Sequence, residues 1–265
     1  MSKPHRAHAV RFDAKVIMAA QTAICAALLL AAPLKAAPPA PDILHYTFDG
    51  SGSSVINHAS APPVGTATGM IVGTALSQGV FFNSVTSALN GTGDIANTNY
   101  IDTGWATHLA GSWTISFFAK NIPTDTANYY VFGDETADSF RCFVVNGQVW
   151  QLVGGNYVYD DVAIFAPADG GLHMITYTFN QPNGRTVGYL DGVLNATHAA
   201  PPVSITGAGP FTVGAYRGSQ GSAGLKGQLA DFRIYSRALN PAELRNLYAY
   251  VTTNGDAIFR DNFEQ

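Results

Sequence analysis

The sequence is poor in charged residues, and above all in glutamate. Charged residues make up 12% of the 265 residues, and only Glu135, Glu243 and Glu264 are glutamates. Soluble domains typically carry about 25% charged residues. The net charge is −4, and no run of Lys or Arg follows residue 36. These features exclude a nucleic-acid-binding protein, which needs a basic patch to contact phosphates.

Cysteine is also scarce, since Cys25 and Cys142 are the only two. Cys25 falls within the first 36 residues, which read as a removable leader, so the processed chain would keep Cys142 alone and form no internal disulfide. Cys142 alternates with Phe140 and Val144, and we expect all three on one buried strand face. Stability must then come from an apolar core, which a chain of this length can form.

Residues 1–36 have the pattern of a secretory signal peptide. Basic residues such as Lys3 and Arg11 precede an apolar stretch over residues 16–32, and Ala36 offers a small residue for cleavage before Ala37. The alternative is a retained N-terminal membrane anchor, because this stretch approaches the length that spans a bilayer. No later segment approaches that length. We therefore expect an exported protein, secreted or at the cell surface, with no membrane span after cleavage.

After a short extended linker at 37–42, strand signals alternate with turns rich in Gly, Asn, Asp and Pro up to residue 251. Asn146-Gly147 and Asp191-Gly192 each lie between two strand-like segments, which predicts hairpins with two-residue type I′ turns. Many short strands with regular turn signals are typical of an all-β sandwich. We predict one such domain over residues 43–251.

The stretch from Gly227 to Leu244 joins a strand to a helix. Alternation along the strand predicts two faces. One face is expected to carry Ala230, Phe232 and Ile234, and the other Leu229, Asp231, Arg233 and Tyr235. The helix has a complete start signal, because Asn240 can cap it, Pro241 suits its first position and Glu243 can close a capping box.

This strand and helix resemble the closing elements of the laminin-G-like (concanavalin A-like lectin/glucanase) jelly-roll family. Residues 44–50, 113–120, 173–177 and 189–192 resemble earlier elements of the same family, so the resemblance covers roughly residues 43–250. It implies an all-β fold, a two-sheet antiparallel jelly-roll sandwich with one short C-terminal helix. The functions of this family are diverse, so the resemblance implies a fold more than an activity.

Glycan-degrading enzymes occur on this sandwich, and they need two carboxylates that flank the scissile bond. The three glutamates lie in a predicted loop, at the helix start and in the C-terminal tail, so no two share a strand. His173 begins a predicted strand, where we expect it to pack in the core. We therefore expect a protein that is not an enzyme, although a hydrolase or lyase with an unusual acid pair stays as an alternative.

The resemblance also implies a possible structural Ca²⁺ site, formed by Asp49 after the first strand and Asp231 in the closing strand. Asp oxygens are common Ca²⁺ ligands, and the ends of these two strands lie close together in the family. The family pattern has a second acidic residue beside Asp231, but the sequence has Ala230 there. The alternative places Asp49 in a turn and pairs Asp231 with a nearby Arg.

Aromatic and amide side chains predict a carbohydrate site. Trp105, Trp150, Tyr157 and Tyr159 lie in or beside predicted loops, with Asn156 close to the last two. Aromatic rings can stack on sugar faces while amides bind hydroxyl groups. We expect a recognition module that binds a glycan or an extracellular protein. A purely structural surface protein is the further alternative.

Residues 252–265 form an acidic tail with aromatic residues. It resembles a C-terminal signature of secreted proteins from Gram-negative bacteria, which implies a sorting or processing tag in a bacterial exported protein. The alternative is a frayed chain end whose aromatic residues pack on the sandwich.

Overall fold

Antiparallel strands make up most of the regular structure. A computed structural model describes residues 37–82, 86–94, 98–134, 136, 140–145, 149–153, 162–165, 169–199, 204–216 and 223–261, with the backbone alone at 149–153, 165, 199 and 254–261. In chain order, its strands are β1 (Leu44–Tyr46), β2 (Ser54–Ile56), β3 (Thr68–Val72), β4 (Leu76–Phe81), β5 (Ser87–Thr92), β6 (Tyr100–Leu109), β7 (Trp113–Lys120), β8 (Tyr129–Asp134), β9 (Phe140–Val145), β10 (Val149–Val153), β11 (Val162–Phe165), β12 (Leu172–Asn180), β13 (Arg185–Leu190), β14 (Val193–Ala199), β15 (Ile205–Val213) and β16 (Lys226–Tyr235). A short 3-10 helix (Gln181–Asn183) follows β12, and helix α1 (Pro241–Asp261) follows β16.

The strands form two sheets. The first sheet has the order β14-β13-β12-β7-β16-β5-β4, and β1 also pairs with β16. The second has the order β11-β10-β9-β8-β15-β6-β3-β2. All of these strand pairs are antiparallel. The predicted fold class, a two-sheet antiparallel jelly-roll sandwich with a C-terminal helix, is confirmed.

Aromatic side chains fill the space between the sheets. Phe232 of the first sheet contacts Phe132 and Phe211 of the second, with ring centroids 5.8 and 6.2 Å apart. Cys142 is buried in this core as a free thiol, as the sequence predicts. The predicted position of Trp105, in or beside a loop, is wrong. The residue lies within β6, and its ring packs in the core against Phe211.

Helix α1 covers part of the outer face of the first sheet. Leu244, Leu247 and Val251 form a second buried cluster with Ala230 and Tyr235 of β16. These three helical residues recur every three or four positions, so they share one apolar face of the helix. In the described part of the chain, no helix is long and apolar enough to cross a membrane.

The predicted start of the helix is confirmed. Asn240 Oδ1 accepts hydrogen bonds from the backbone N–H groups of Ala242 and Glu243, and Glu243 Oε2 accepts one from the Asn240 N–H. This reciprocal pair is a capping box. The helix extends to Asp261, so the predicted boundary between domain and tail at residue 252 falls inside it.

The predicted alternation along β16 is right after Asp231 and wrong before it. A bulge interrupts the pairing with β7, because Asp231 and Phe232 lie opposite Phe117 alone. Asp231 has a φ of 48°, a left-handed conformation that Asp adopts more readily than most residues. The bulge exchanges the faces before it, so Leu229 lies in the core between the sheets and Ala230 lies beneath the helix.

The two predicted hairpins form. Leu190 pairs with Val193, and Asp191 and Gly192 both have positive φ, as a type I′ turn requires. Val145 pairs with Val149, so β9 and β10 form the other hairpin, and its predicted turn at Asn146-Gly147 lies outside the described residues.

Candidate functional site

A cavity of about 620 Å³ opens on the outer face of the first sheet. It lies where the partner of β16 changes, because β5 pairs with β16 up to Ala230 and β1 pairs with it from Phe232 onward. The bulge at Asp231 falls between these two positions. We call this space the β1/β16 cavity; its polar and aromatic lining includes His45, Thr47, Asp49, Phe81, Thr86, Ser87, Asp231, Arg233 and Tyr250.

A buried ionic group forms the floor of the β1/β16 cavity. Arg233 Nε donates to both carboxylate oxygens of Asp231, at 2.9 Å each, and His45 Nε2 lies 2.9 Å from Asp231 Oδ1. The Asp231 and Arg233 side chains are only 5% and 7% exposed. Because residues two apart in a strand share a face, one strand supplies both members of the ion pair.

The ionic group keeps Asp231 charged despite its burial. Burial alone would raise the pKa of Asp231, but the charge of Arg233 and the hydrogen bond with His45 hold the pKa below its ordinary value. Burial would likewise lower the pKa of Arg233, and the Asp231 charge outweighs it, so the guanidinium pKa is raised. The floor therefore carries fixed opposite charges and not a carboxyl group that could donate a proton.

The predicted linker forms one wall of the β1/β16 cavity. The Tyr235 hydroxyl donates to the Pro39 carbonyl at 3.1 Å, and Arg233 Nη1 lies 3.5 Å from that hydroxyl. The Pro41 carbonyl accepts hydrogen bonds from the backbone N–H and the hydroxyl of Ser60. Residues 37–41 are thus held against the sandwich, and Ala37, Pro38, Ala40 and Pro41 line the cavity.

The rim offers both an acceptor and an aromatic ring. Asp49 is exposed, and its Oδ1 accepts a hydrogen bond from the Thr47 hydroxyl at 2.9 Å. Phe81, the last residue of β4, is 74% exposed. An exposed ring beside polar groups is the combination expected of a sugar-binding surface.

The structure brings Asp49 and Asp231 to one cavity, as the sequence suggested, but the arrangement does not fit Ca²⁺. Both oxygens of Asp231 accept hydrogen bonds from Arg233, and His45 contacts one of them. A calcium ion needs six to eight oxygen ligands and would be repelled by the adjacent guanidinium. Within the described ranges, no group of three His, Cys, Asp or Glu residues could hold a metal ion.

Apart from Trp105, only Trp150 among the predicted carbohydrate residues lies in the described part of the chain. Tyr157, Tyr159 and Asn156 lie outside the described residues. The backbone of Trp150 is in β10, paired with Val144 and Ile164, both of which are buried. Whether these four residues bind a glycan therefore stays a prediction.

Sequence reasoning missed His45 and Arg233 as site residues. The sequence placed Arg233 on the same strand face as Asp231 and offered a nearby Arg as the partner of Asp231, which the structure confirms, but it gave no role to His45. The available signal was the Asp-x-Arg spacing at 231 and 233, since residues two apart in a strand share a face. Nothing in the sequence places His45 opposite them, because that contact spans 186 residues.

A second ionic group surrounds His173 at the start of β12. Its Nδ1 lies 2.9 Å from Asp191 Oδ2, and its Nε2 lies 3.2 Å from Asp169 Oδ1. Burial would lower the pKa of His173, but hydrogen bonds with the two carboxylates outweigh burial and raise it. His173 is buried, as expected, but its ring contacts two carboxylates and belongs to neither apolar cluster of the described residues.

Comparisons with solved structures find the same fold in proteins of distant sequence. A sialidase of Trypanosoma rangeli in complex with 2,3-difluorosialic acid is 12% identical, with a TM-score of 0.59 over 82% of this chain and 34% of that chain. The botulinum neurotoxin serotype D ligand-binding domain in complex with N-acetylneuraminic acid is 14% identical, with a TM-score of 0.54 over 76% of this chain and 51% of that chain.

The binding domain of botulinum neurotoxin DC in complex with rat synaptotagmin II is 11% identical, with a TM-score of 0.57 over 80% of this chain and 52% of that chain. The similar region thus spans about a third of the sialidase and half of the toxin domains. At these identities the likeness concerns the fold alone.

Sequence comparisons give the family. No curated protein sequence matches this chain. A family model of laminin G type, described as the concanavalin A-like lectin/glucanases superfamily, matches residues 95–245. This range includes β7, β12 and most of the region that carries the sequence resemblance. The chain therefore belongs to the concanavalin A-like lectin/glucanases superfamily.

Proposed function

We propose that this protein is an exported, non-catalytic recognition domain that binds a glycan in the β1/β16 cavity. The observation that carries the proposal is the lining of that cavity, which combines charged and hydroxyl groups with an exposed aromatic ring. Arg233 supplies N–H donors, Asp49 supplies acceptors, and Phe81 supplies an apolar face. Sugars require this mixture, because each ring presents hydroxyl groups around an apolar C–H surface.

The charge state of the floor supports a binding role over a hydrolytic one. A glycosidase needs one carboxylic acid that donates a proton, usually with a raised pKa. Asp231 has a lowered pKa and is fixed by Arg233. Glu243 is held at the helix start by Arg237, through two hydrogen bonds of 2.9 and 3.1 Å. An activity screen on β-glucans and alginate tests the alternative, and turnover of either would contradict the proposal.

The structural neighbours support ligand binding as a use of this sandwich. The sialidase and the serotype D toxin domain are in complex with sialic acid compounds, whereas the DC toxin domain is in complex with rat synaptotagmin II. We extend the glycan class to this chain on the strength of its own cavity, because the sequence likeness is too low to transfer a ligand.

A protein partner is the second candidate, and a surface on the other sheet favours it. Ile56, Met70 and Val72 are exposed apolar side chains on β2 and β3. Thr68 pairs with Ile56, and Met70 lies two residues further along β3. Ile56 and Met70 are therefore diagonal neighbours across the β2–β3 strand pair. A pull-down from host matrix or cell wall with wild type and Met70→Lys tests this surface, and equal capture by both would contradict it.

A glycan array tests the proposed function. The processed protein should give a reproducible hit among bacterial, algal and animal sugars. Phe81→Ala should weaken that hit, because Phe81 lines the cavity and supplies its exposed aromatic ring. Trp150→Ala and Tyr157→Ala report on the loop site that the sequence predicts. Loss of binding in these two alone would move the site to the loops, and a blank array would favour a structural role.

A further inference from the structure

We propose that the glycan bound in the β1/β16 cavity is acidic and that its carboxylate binds the guanidinium of Arg233. The chemical class is a sugar acid, either a uronic acid or a sialic acid. This inference rests on the proposed function, since it names the ligand of the same cavity.

The first step concerns the N–H groups of Arg233 that remain available to a ligand after its hydrogen bonds within the protein. A guanidinium has five N–H donors in a planar fork. Arg233 uses Nε for Asp231, and Nη1 makes only a long contact of 3.5 Å with the Tyr235 hydroxyl. In the described part of the chain, no hydrogen bond reaches Nη2. The side chain is 7% exposed and lines the cavity, so the remaining donors belong to a nearly buried group at its floor.

The second step is the match between this fork and a carboxylate. Two parallel N–H groups of an arginine bind two carboxylate oxygens in one plane, and such charge-assisted pairs are stronger than neutral hydrogen bonds. Asp231 engages Arg233 through Nε. The terminal nitrogens Nη1 and Nη2 can therefore donate to the two oxygens of a second carboxylate without breaking the internal pair.

The third step is the charge around the fork. The negative charge of Asp231 is already paired with Nε of Arg233, and His45 Nε2 also contacts the Asp231 carboxylate. If the leader is cleaved before Ala37, the new α-ammonium adds a positive charge, because Ala37 lines the cavity. The opposing charge is Asp49 at the rim. That carboxylate is exposed and therefore screened by salt, so it weakens an acidic ligand without excluding it.

Asp49 also gives a variant that keeps the floor intact. Because Asp49 is exposed and its side chain contacts only a hydroxyl group, that of Thr47, in the described part of the chain, Asp49→Asn should fold like the wild type. The substitution removes a like charge from the rim. It should therefore strengthen binding of an acidic sugar, while the amide oxygen of the new Asn still offers an acceptor to the sugar hydroxyl groups.

Isothermal titration with matched sugars tests the inference. The two pairs are a galacturonate trimer with its carboxyl-reduced galactose counterpart, and 3′-sialyllactose with lactose. The acidic member of at least one pair should bind roughly tenfold more tightly, as expected for hydrogen bonds to a charged group. The pair that shows the preference identifies the acid as uronic or sialic.

Two variants complete the test. Arg233→Lys should remove most of the acidic preference, because lysine keeps the charge but lacks the fork. Asp49→Asn should increase the affinity for the acidic sugar about two- to threefold. This test remains valid even if Arg233→Lys does not fold. Equal affinity for both members of each pair would overturn the acidic ligand but leave glycan binding standing. Lack of binding by all four sugars, together with a blank glycan array, would overturn both.

Discussion

Arg233 Nε lies 2.9 Å from each carboxylate oxygen of Asp231, two residues earlier on the same strand. The pair is nearly buried, and the β-bulge at Asp231 positions it between the ends of β1 and β5. A structural irregularity of the closing strand thus creates both the cavity and its charged floor.

We predict that Asp231→Asn destabilises the protein strongly. Asparagine has the same shape and tolerates the positive φ of 48°, so the substitution isolates the loss of charge. Removing one member of a buried ion pair typically costs about 3–5 kcal/mol, because the other charge stays buried without compensation. Urea unfolding measures the free energy, with Asp49→Asn as the control that should change it by less than about 0.5 kcal/mol. A cost for Asp231→Asn below that of the control would contradict the account.

We predict that calcium does not stabilise the protein through Asp49 and Asp231. The Asp231 carboxylate is already occupied by Arg233 and His45, so a Ca²⁺ ion would have to break these contacts. Thermal melts with excess EDTA and with CaCl₂ should give the same Tm. A higher Tm with CaCl₂ that disappears in Asp49→Asn would instead support the calcium site that the family resemblance suggested.

The His173 group predicts a pH-dependent contribution to stability. Asp191 and Asp169 raise the pKa of folded His173 above its unfolded value of about 6.5, so the stabilisation is complete below that pH and is lost as pH rises through the folded pKa. The loss of stability in His173→Gln should therefore be larger near pH 5.5 than near pH 8.5. Urea unfolding of both proteins at the two pH values measures it.

His108→Gln removes an exposed histidine from β6 and serves as the matched control. Its effect on the free energy of unfolding should be small at both pH values. If His173→Gln cost the same at both, or more at the higher pH, the two carboxylates would not be stabilising a protonated imidazole.

The parts of the fold that depend on local sequence could be predicted. Asn240, Pro241 and Glu243 lie within four residues, and their capping contacts form as expected. The Asp191-Gly192 turn is similarly local, because its residues alone set the positive φ values. The buried face of Cys142 followed from alternation in a regular strand.

The candidate site could be predicted only in part, because it depends on a departure from regular geometry and on distant contacts. Alternation predicted that Asp231 and Arg233 share a face. It could not reveal the bulge, which places Leu229 and Ala230 each on the face opposite to the predicted one. His45 reaches Asp231 only through the pairing of the first strand with the last. The two-residue alternation of a strand predicts neither the bulge at Asp231 nor the pairing of β1 with β16.

The most direct test of glycan binding in the β1/β16 cavity is to fill the cavity and repeat the glycan array. Ser87 begins β5 and lines the cavity, so the ring in Ser87→Phe would occupy the ligand space. Ser77→Phe adds the same ring at an exposed position on the neighbouring strand β4. The account predicts that Ser87→Phe loses the hits of the wild type and that Ser77→Phe keeps them. Unchanged hits in Ser87→Phe would contradict it.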